Sequence, residues 1–193
     1  MRKISREHEN PIDNINLDLM DKLCPFFKRL NFTPNGLTTL SLFFGIISIY
    51  FLYKYKVILF GIFYYISYLF DCIDGHYARK YKMVSKFGDY YDHIKDFVVV
   101  LGIFIVLYYR YCVNNKVCSI FICYVIVISI LMIAQLGCQE KIYNKDESGT
   151  LSFSKNLCVC TDHNIKITRW FGCGSWIILL IIGIFFLNYN RIN

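Results

Sequence analysis

The run Asp71-Cys72-Ile73-Asp74-Gly75-His76-Tyr77-Ala78-Arg79, followed after eight residues by Gly88, after three more by Asp92 and after three more by Asp96, decides the reading of this chain. Four carboxylates and a guanidinium lie at the ends of two long apolar segments. An ionised side chain at membrane depth costs about 2.5–3.5 kcal/mol on insertion scales, so it normally faces a partner or a water-filled cavity. Clustered carboxylates suit a hard divalent cation, Mg2+ or Mn2+, held together with substrate phosphates. On a helix, Asp71 and Asp74 share one face, and on the next helix Asp92 and Asp96 share another. Gly75 and Ala78 leave room on the first of these faces. Arg79 offers a fork of donors to a phosphate. The stretch predicts a membrane-embedded, metal-dependent enzyme acting on a phosphate-containing substrate.

The rest of the chain agrees with a membrane setting. Its 193 residues are 56% hydrophobic, and the mean hydropathy is +0.42. This predicts an all-α integral membrane protein with a single membrane domain over residues 34–193 and a tail over 1–33. A span takes about 20 residues. Five segments qualify, at about 36–53, 57–78, 88–109, 117–137 and 168–188. The polar or amphipathic start predicts no cleavable signal peptide. One side of the membrane receives the tail, the 79–87 loop and the 138–167 loop with Arg169, and with them 15 of the 21 basic residues. The bias of Lys and Arg then places the N-terminus and the opening of the site in the cytosol. A net charge of +7 fits an anionic lipid surface. No soluble basic module exists to carry nucleic acid.

Residues 14–31 carry Ile15, Leu19, Leu23, Phe26 and Leu30 at helical spacing among charged residues. This predicts an amphipathic helix, lying in the membrane interface or packed on the bundle, with Pro25 breaking it in two. Tyr50, Tyr53, Tyr55, Tyr108, Tyr109 and Tyr111 mark the far ends of two spans, as an interfacial aromatic belt would. Tyr64, Tyr65 and Tyr68 read as packing residues. The nine cysteines read as small apolar packing residues in a reducing compartment. A zinc site from Cys158, Cys160 and His163 is the weaker alternative, because the spacing is irregular. Glu147-Ser148-Gly149-Thr150 reads as a turn.

The central pattern resembles the signature of the CDP-alcohol phosphatidyltransferase family, D-x2-D-G-x2-A-R-x8-G-x3-D-x3-D. All eight fixed positions are present, a coincidence on the order of 10⁻⁸ by chance for residue types at ordinary frequencies. Ser85 stands where the family usually has Ser or Thr. Pro34-Asn35-Gly36-Leu37-Thr38 resembles the family's P-N-x-L-T opening of its first membrane helix. The resemblance covers about residues 14–137 and favours the interfacial placement of the helix over 14–31. It implies that Asp71, Asp74 and Asp92 hold the metal ions on the pyrophosphate of a CDP-linked donor. It implies that Asp96 is the general base and touches a metal as well. Gly75, Ala78, Arg79, Ser85 and Gly88, with Asn35 and Thr38, are then expected around the donor. Asp89 reads as a carboxylate at a helix N-terminus, with an extra metal ligand as the alternative.

The implied reaction moves a phosphatidyl group from CDP-diacylglycerol to a small polar alcohol and releases CMP. The alternative donor is CDP-choline or CDP-ethanolamine, with diacylglycerol as acceptor. Family members using that second chemistry are usually longer than this chain. His76 resembles the D-G-H of phosphatidylinositol synthases, and His93 the D-H of choline and ethanolamine phosphotransferases, so the two point to different substrates. Family members commonly have six membrane helices and form homodimers, whereas five spans are counted here. Other readings stay open: an inactive lipid-binding scaffold, an ion or proton path, or ion pairs between helices in which Arg79, Lys80 or Lys95 neutralises the aspartates.

Overall fold

The computed structural model describes residues 4–112, 117–143, 158 and 165–192. Among these residues every regular element is helical. The order is α1 (Pro11–Arg29), α2 (Pro34–Tyr53), α3 (Val57–Lys80), α4 (Lys86–Leu107) with a π-helical turn at Tyr108–Cys112, α5 (Val117–Tyr143), a short α6 (Ile165–Thr168) with a 3-10 turn at Arg169–Phe171, and α7 (Cys173–Ile192). Four stretches are long and apolar enough to cross a membrane: α2, α3, α5 and Ile165–Asn190, which takes in α6 and α7. α4 matches them with 22 residues. Its first half carries Asp89, Asp92, Lys95 and Asp96, so composition alone supports one span fewer than the five expected.

Three successive helices end in the same turn. Asn31, Tyr55 and Lys82 have φ of 56°, 59° and 56°. Just beyond each, a backbone N–H reaches back five residues: Phe32 to the Phe27 carbonyl, Lys56 to Phe51 and Met83 to Ala78. This closing bond satisfies carbonyls the helix end leaves open. It also reverses the chain tightly, so α2, α3 and α4 pack as neighbours. α2 and α3 exchange hydrogen bonds through Ser41 Oγ to the Ser67 carbonyl (2.9 Å) and Ser67 Oγ to the Ser41 carbonyl (2.7 Å). α2 meets α4 at Gly45, where a Cβ would come within 2.7 Å of Val99 Cγ2. The main core of Leu52, Phe60, Tyr64, Ile103, Leu107, Leu180 and Ile184 joins α2, α3, α4 and α7.

α1 departs from expectation at Pro25. It is one helix through Pro25. A helical proline leaves the carbonyl four residues earlier without a donor. Here that carbonyl belongs to Asp21, and the Lys80 ammonium of α3 donates to it at 3.3 Å. The same ammonium also bonds Asp21 Oδ1 at 2.7 Å. As the interfacial placement requires, the polar side of α1 faces the bundle. Asn10, Asp13, Asn14 and Asn16 are buried, whereas Ile15, Leu19, Leu23, Phe26 and Leu30 are exposed. The helix is thus fixed to the bundle by polar contacts and turns its apolar stripe outward, as a helix lying at a lipid surface requires.

Asp13 and Asn10 fasten α1 to the start of α7. Asn10 Nδ2 donates to the Arg169 carbonyl (2.8 Å) and to Ser175 Oγ (2.9 Å). Asp13 accepts from the Gly174 N–H and from the Tyr68 hydroxyl. Tyr65 OH donates to Asn16 Oδ1 at 2.8 Å. Two of the three mid-span tyrosines therefore anchor α1 through their hydroxyls. Burial pushes the Asp13 carboxyl up to about 7. A carboxyl raised on folding leaves the native state holding a proton that the unfolded chain has lost, so stability falls as pH rises. The window runs from the ordinary carboxylate range to about pH 7. Thermal unfolding in detergent is expected to shift downward across that window, and Asp13→Asn to remove that part of the slope. An unchanged slope in Asp13→Asn would assign the pH dependence to another group.

Two cysteine pairs replace part of the expected set of free thiols. Cys112 is bonded to Cys118 and Cys138 to Cys158, with Cα separations of 5.1 and 4.7 Å. These spacings lie in the range that disulfides require. Cys112 closes the π-helical turn and Cys118 lies in the first turn of α5, and Cys158, outside any helix, meets Cys138 of α5, pairings that spacing along the chain does not reveal. Cys24, Cys72, Cys123 and Cys173 are free. Cys158 is spent in its disulfide and cannot supply a thiolate to zinc. Cys160, His163 and the predicted turn at 147–150 lie outside the described residues.

Candidate metal and substrate site

The eight-position pattern converges where the end of α3 and the first half of α4 meet the start of α2. α3 supplies Asp71, Asp74, Gly75, Ala78 and Arg79, α4 supplies Gly88, Asp92 and Asp96, and α2 supplies Asn35 and Thr38. Ser85 is the N-cap of α4, and its Oγ accepts the Gly88 N–H at 3.0 Å. A Cβ at Gly88 would lie 3.0 Å from Asn35 Oδ1, so the glycine lets the α2 and α4 starts approach. Asp89 sits in the first turn of α4, where a carboxylate complements the helix dipole. Asp89 is outside the carboxylate cluster described next.

Asp71, Asp74 and Asp92 each present an oxygen within 4.8 Å of the others. Asp74 is buried, and Thr38 Oγ1 donates to its Oδ2 at 2.6 Å. That bond fixes the orientation of one prospective ligand. Asp92 Oδ1 is buried, with the Lys95 ammonium 3.1 Å away. Three hard carboxylate oxygens at this spacing fit Mg2+ or Mn2+. Asp96 is not part of this trio. Its carboxylate lies 2.7 Å from the Lys95 ammonium, and its side chain is 56% exposed.

Two cavities meet at the trio. The larger, about 660 Å³, runs between the starts of α2 and α4 and is lined by Asn35, Thr38, Gly75, Ala78, Arg79 and Ser85, among others. A Cβ at Gly75 would lie 3.2 Å from Arg79 Nη1, so the guanidinium folds over the glycine beside the cavity. The smaller cavity, about 320 Å³, lies toward α1, α5 and α7 and is lined by Glu9, Asp13, Tyr68, Gln139 and Glu140. Asp74, Gly75, Arg79 and Asp92 belong to both walls. Asp96 lines neither. Every other residue expected at the site borders at least one cavity. The α1, α5 and α7 residues escaped the sequence reading, because nothing local marks a residue that joins a site from a distant helix.

The two histidines separate. His76 is buried against α1, with Nε2 2.8 Å from Asp21 Oδ1, and lines neither cavity. His93 lines the larger cavity, with Nδ1 donating to the Asp89 carbonyl at 2.9 Å.

The sequence model of the CDP-alcohol phosphatidyltransferase family matches residues 31–188. An uncharacterized protein of Aquifex aeolicus (strain VF5) is 33% identical over 79 residues, which are 41% of this chain and 40% of that protein. The chain thus matches about two fifths of that relative's length. No solved structure matches.

Proposed function

This chain belongs to the CDP-alcohol phosphatidyltransferase family, and on that premise we propose that it transfers a phosphatidyl group from CDP-diacylglycerol to a small polar alcohol and releases CMP. The observation that carries the proposal is the trio Asp71, Asp74 and Asp92, set within 4.8 Å of one another at the junction of two cavities. One chamber is then available for each substrate.

The larger cavity takes the cytidine diphosphate moiety. Arg79 pairs with a phosphate, Ser85 and Asn35 offer hydrogen bonds, and Gly75, Ala78 and Gly88 leave room for the ligand. Asp71, Asp74 and Asp92 hold the divalent ion, with Thr38 orienting Asp74. When bound, that ion offsets charge on the pyrophosphate and on the departing CMP. By the family pattern, and not by its place beside either cavity, Asp96 is assigned to accept the proton that the acceptor hydroxyl loses as it attacks the phosphorus bearing the diacylglycerol. The exposed apolar face of α1 and the apolar spans keep the two acyl chains in lipid. The N-terminus and the larger cavity open to the cytosol.

The smaller cavity supports a small water-soluble acceptor. Its volume of about 320 Å³ is too small for diacylglycerol. Glu9, Asp13 and Glu140 line it, and Arg79 at the shared wall is its basic residue. Such a lining favours a polyol or an amino alcohol over an anionic acceptor, because like charges at close quarters cost several kcal/mol.

The test is CMP release by the purified protein in lipid, with Mg2+ or Mn2+. CDP-diacylglycerol is offered with inositol, serine or glycerol 3-phosphate, and CDP-choline or CDP-ethanolamine is offered with diacylglycerol. Metal-dependent CMP from CDP-diacylglycerol is expected, with kcat/KM for glycerol 3-phosphate at least about tenfold below the best acceptor. CMP from CDP-choline or CDP-ethanolamine instead would reverse donor and acceptor. Folded protein that releases no CMP from any pair would leave the scaffold reading.

A further inference from the structure

Lys95 stands at a position the family pattern leaves open, one residue before Asp96. Its side chain is 1% exposed. The ammonium is bonded to Asp71 Oδ1, lies 2.7 Å from Asp96 Oδ1 and 3.1 Å from Asp92 Oδ1, and donates to Ser41 Oγ at 3.4 Å. A buried ammonium persists where carboxylates compensate it, and here three do. Asp74 is the member of the cluster that Lys95 does not touch, and Thr38 holds it instead.

The cluster therefore has two halves. Asp71, Asp92 and Asp96 surround the ammonium. Asp71, Asp74 and Asp92 face the junction of the cavities. Four carboxylates with no lysine among them would balance two divalent cations, which in two-metal sites stand about 3.5–4 Å apart. With the ammonium in place, the same carboxylates are balanced differently. The oxygens that would bridge to a second dication already contact Nζ, and a second dication beside it would meet a like charge in a buried setting.

We propose that Lys95 is a resident cation of this site, occupying the position a second divalent ion would otherwise take, so that the chain binds one divalent ion, at Asp71, Asp74 and Asp92. This rests on the metal-dependent reading above. It also assigns Asp96 to Lys95 and not to the metal, which leaves Asp96 available for the proton.

Mn2+ binding to the purified protein in lipid nanodiscs tests this, read by equilibrium dialysis and electron paramagnetic resonance. The wild type is expected to saturate at one Mn2+ per chain with an uncoupled signal. Lys95→Met, which keeps the length and removes the charge, is expected to bind two, with the exchange-broadened signal of neighbouring ions. Lys95→Arg, which keeps the charge, is expected to stay at one. Two coupled ions in the wild type, or one ion in folded Lys95→Met, would overturn the inference. If Lys95→Met does not fold, the count and signal of the wild type decide alone. No ion in any of the proteins would overturn the inference and the metal-dependent reading together. CMP release separates the remaining cases. Two ions with CMP release would keep the enzyme and remove the role of Lys95, whereas one ion without CMP release would do the reverse.

Discussion

Asp96→Asn is expected to lower CMP release by about 10²–10⁴-fold, the range that positioned proton transfer contributes. The amide is close in shape to the carboxylate but cannot take the acceptor's proton. Folding is expected to survive, because the Asp96 side chain is more than half exposed and the Lys95 ammonium keeps Asp71 and Asp92 as partners. Single-turnover release of CMP, beside a measure of monodisperse protein in detergent, provides the check. A loss smaller than tenfold with intact protein would move the base elsewhere. The same variant separates an enzyme from a scaffold, which keeps its cellular role without that carboxylate.

Asp71→Asn is expected to be at least as damaging, and in a different way. Asp71 is shared by the prospective metal trio and the Lys95 contact. Loss of a ligand that supports several kcal/mol of charge stabilisation corresponds to a fall on the order of 10³-fold in rate. Unlike Asp96→Asn, this variant is also expected to need much more Mn2+ for half-saturation. A rate loss with unchanged Mn2+ affinity would remove Asp71 from the metal site and leave it as a partner of Lys95.

The contrast between these variants reflects what the chain discloses before folding. Helical periodicity put Asp71 with Asp74 and Asp92 with Asp96 on shared faces, and the family resemblance singled out the trio; α2 and α3 were legible to within two residues at each end. That Lys95, out of Arg79, Lys80 and Lys95, is the cation among the aspartates was not. Periodicity places residue 95 between its neighbours on α4, but the direction of its side chain depends on how α4 crosses α2 and α3 at Gly45 and Ser41. Helical continuity at Pro25 was hidden for a related reason. The donor that satisfies the Asp21 carbonyl comes from Lys80, 59 residues away. The outward apolar stripe of α1 agrees with the interfacial placement expected from its spacing, because lipid inverts the rule that burial follows hydrophobicity.

The depth of the carboxylates has a consequence for the membrane itself. Asp71 lies nine residues before Lys80, the last residue of α3, or about 13 Å along the helix axis at 1.5 Å per residue. Asp74 lies six residues before it, at about 9 Å. That depth is near the boundary between lipid head groups and acyl chains. If the proposed reaction holds, a lipid donor reaches it by lateral diffusion without lifting its tails out of the bilayer, and only the soluble acceptor and CMP need cross into water. Every molecule of product is then born in the leaflet on the side where the site opens. That leaflet gains head groups of the new kind while the opposite one does not, so any spread of the product to both faces depends on a separate transbilayer movement.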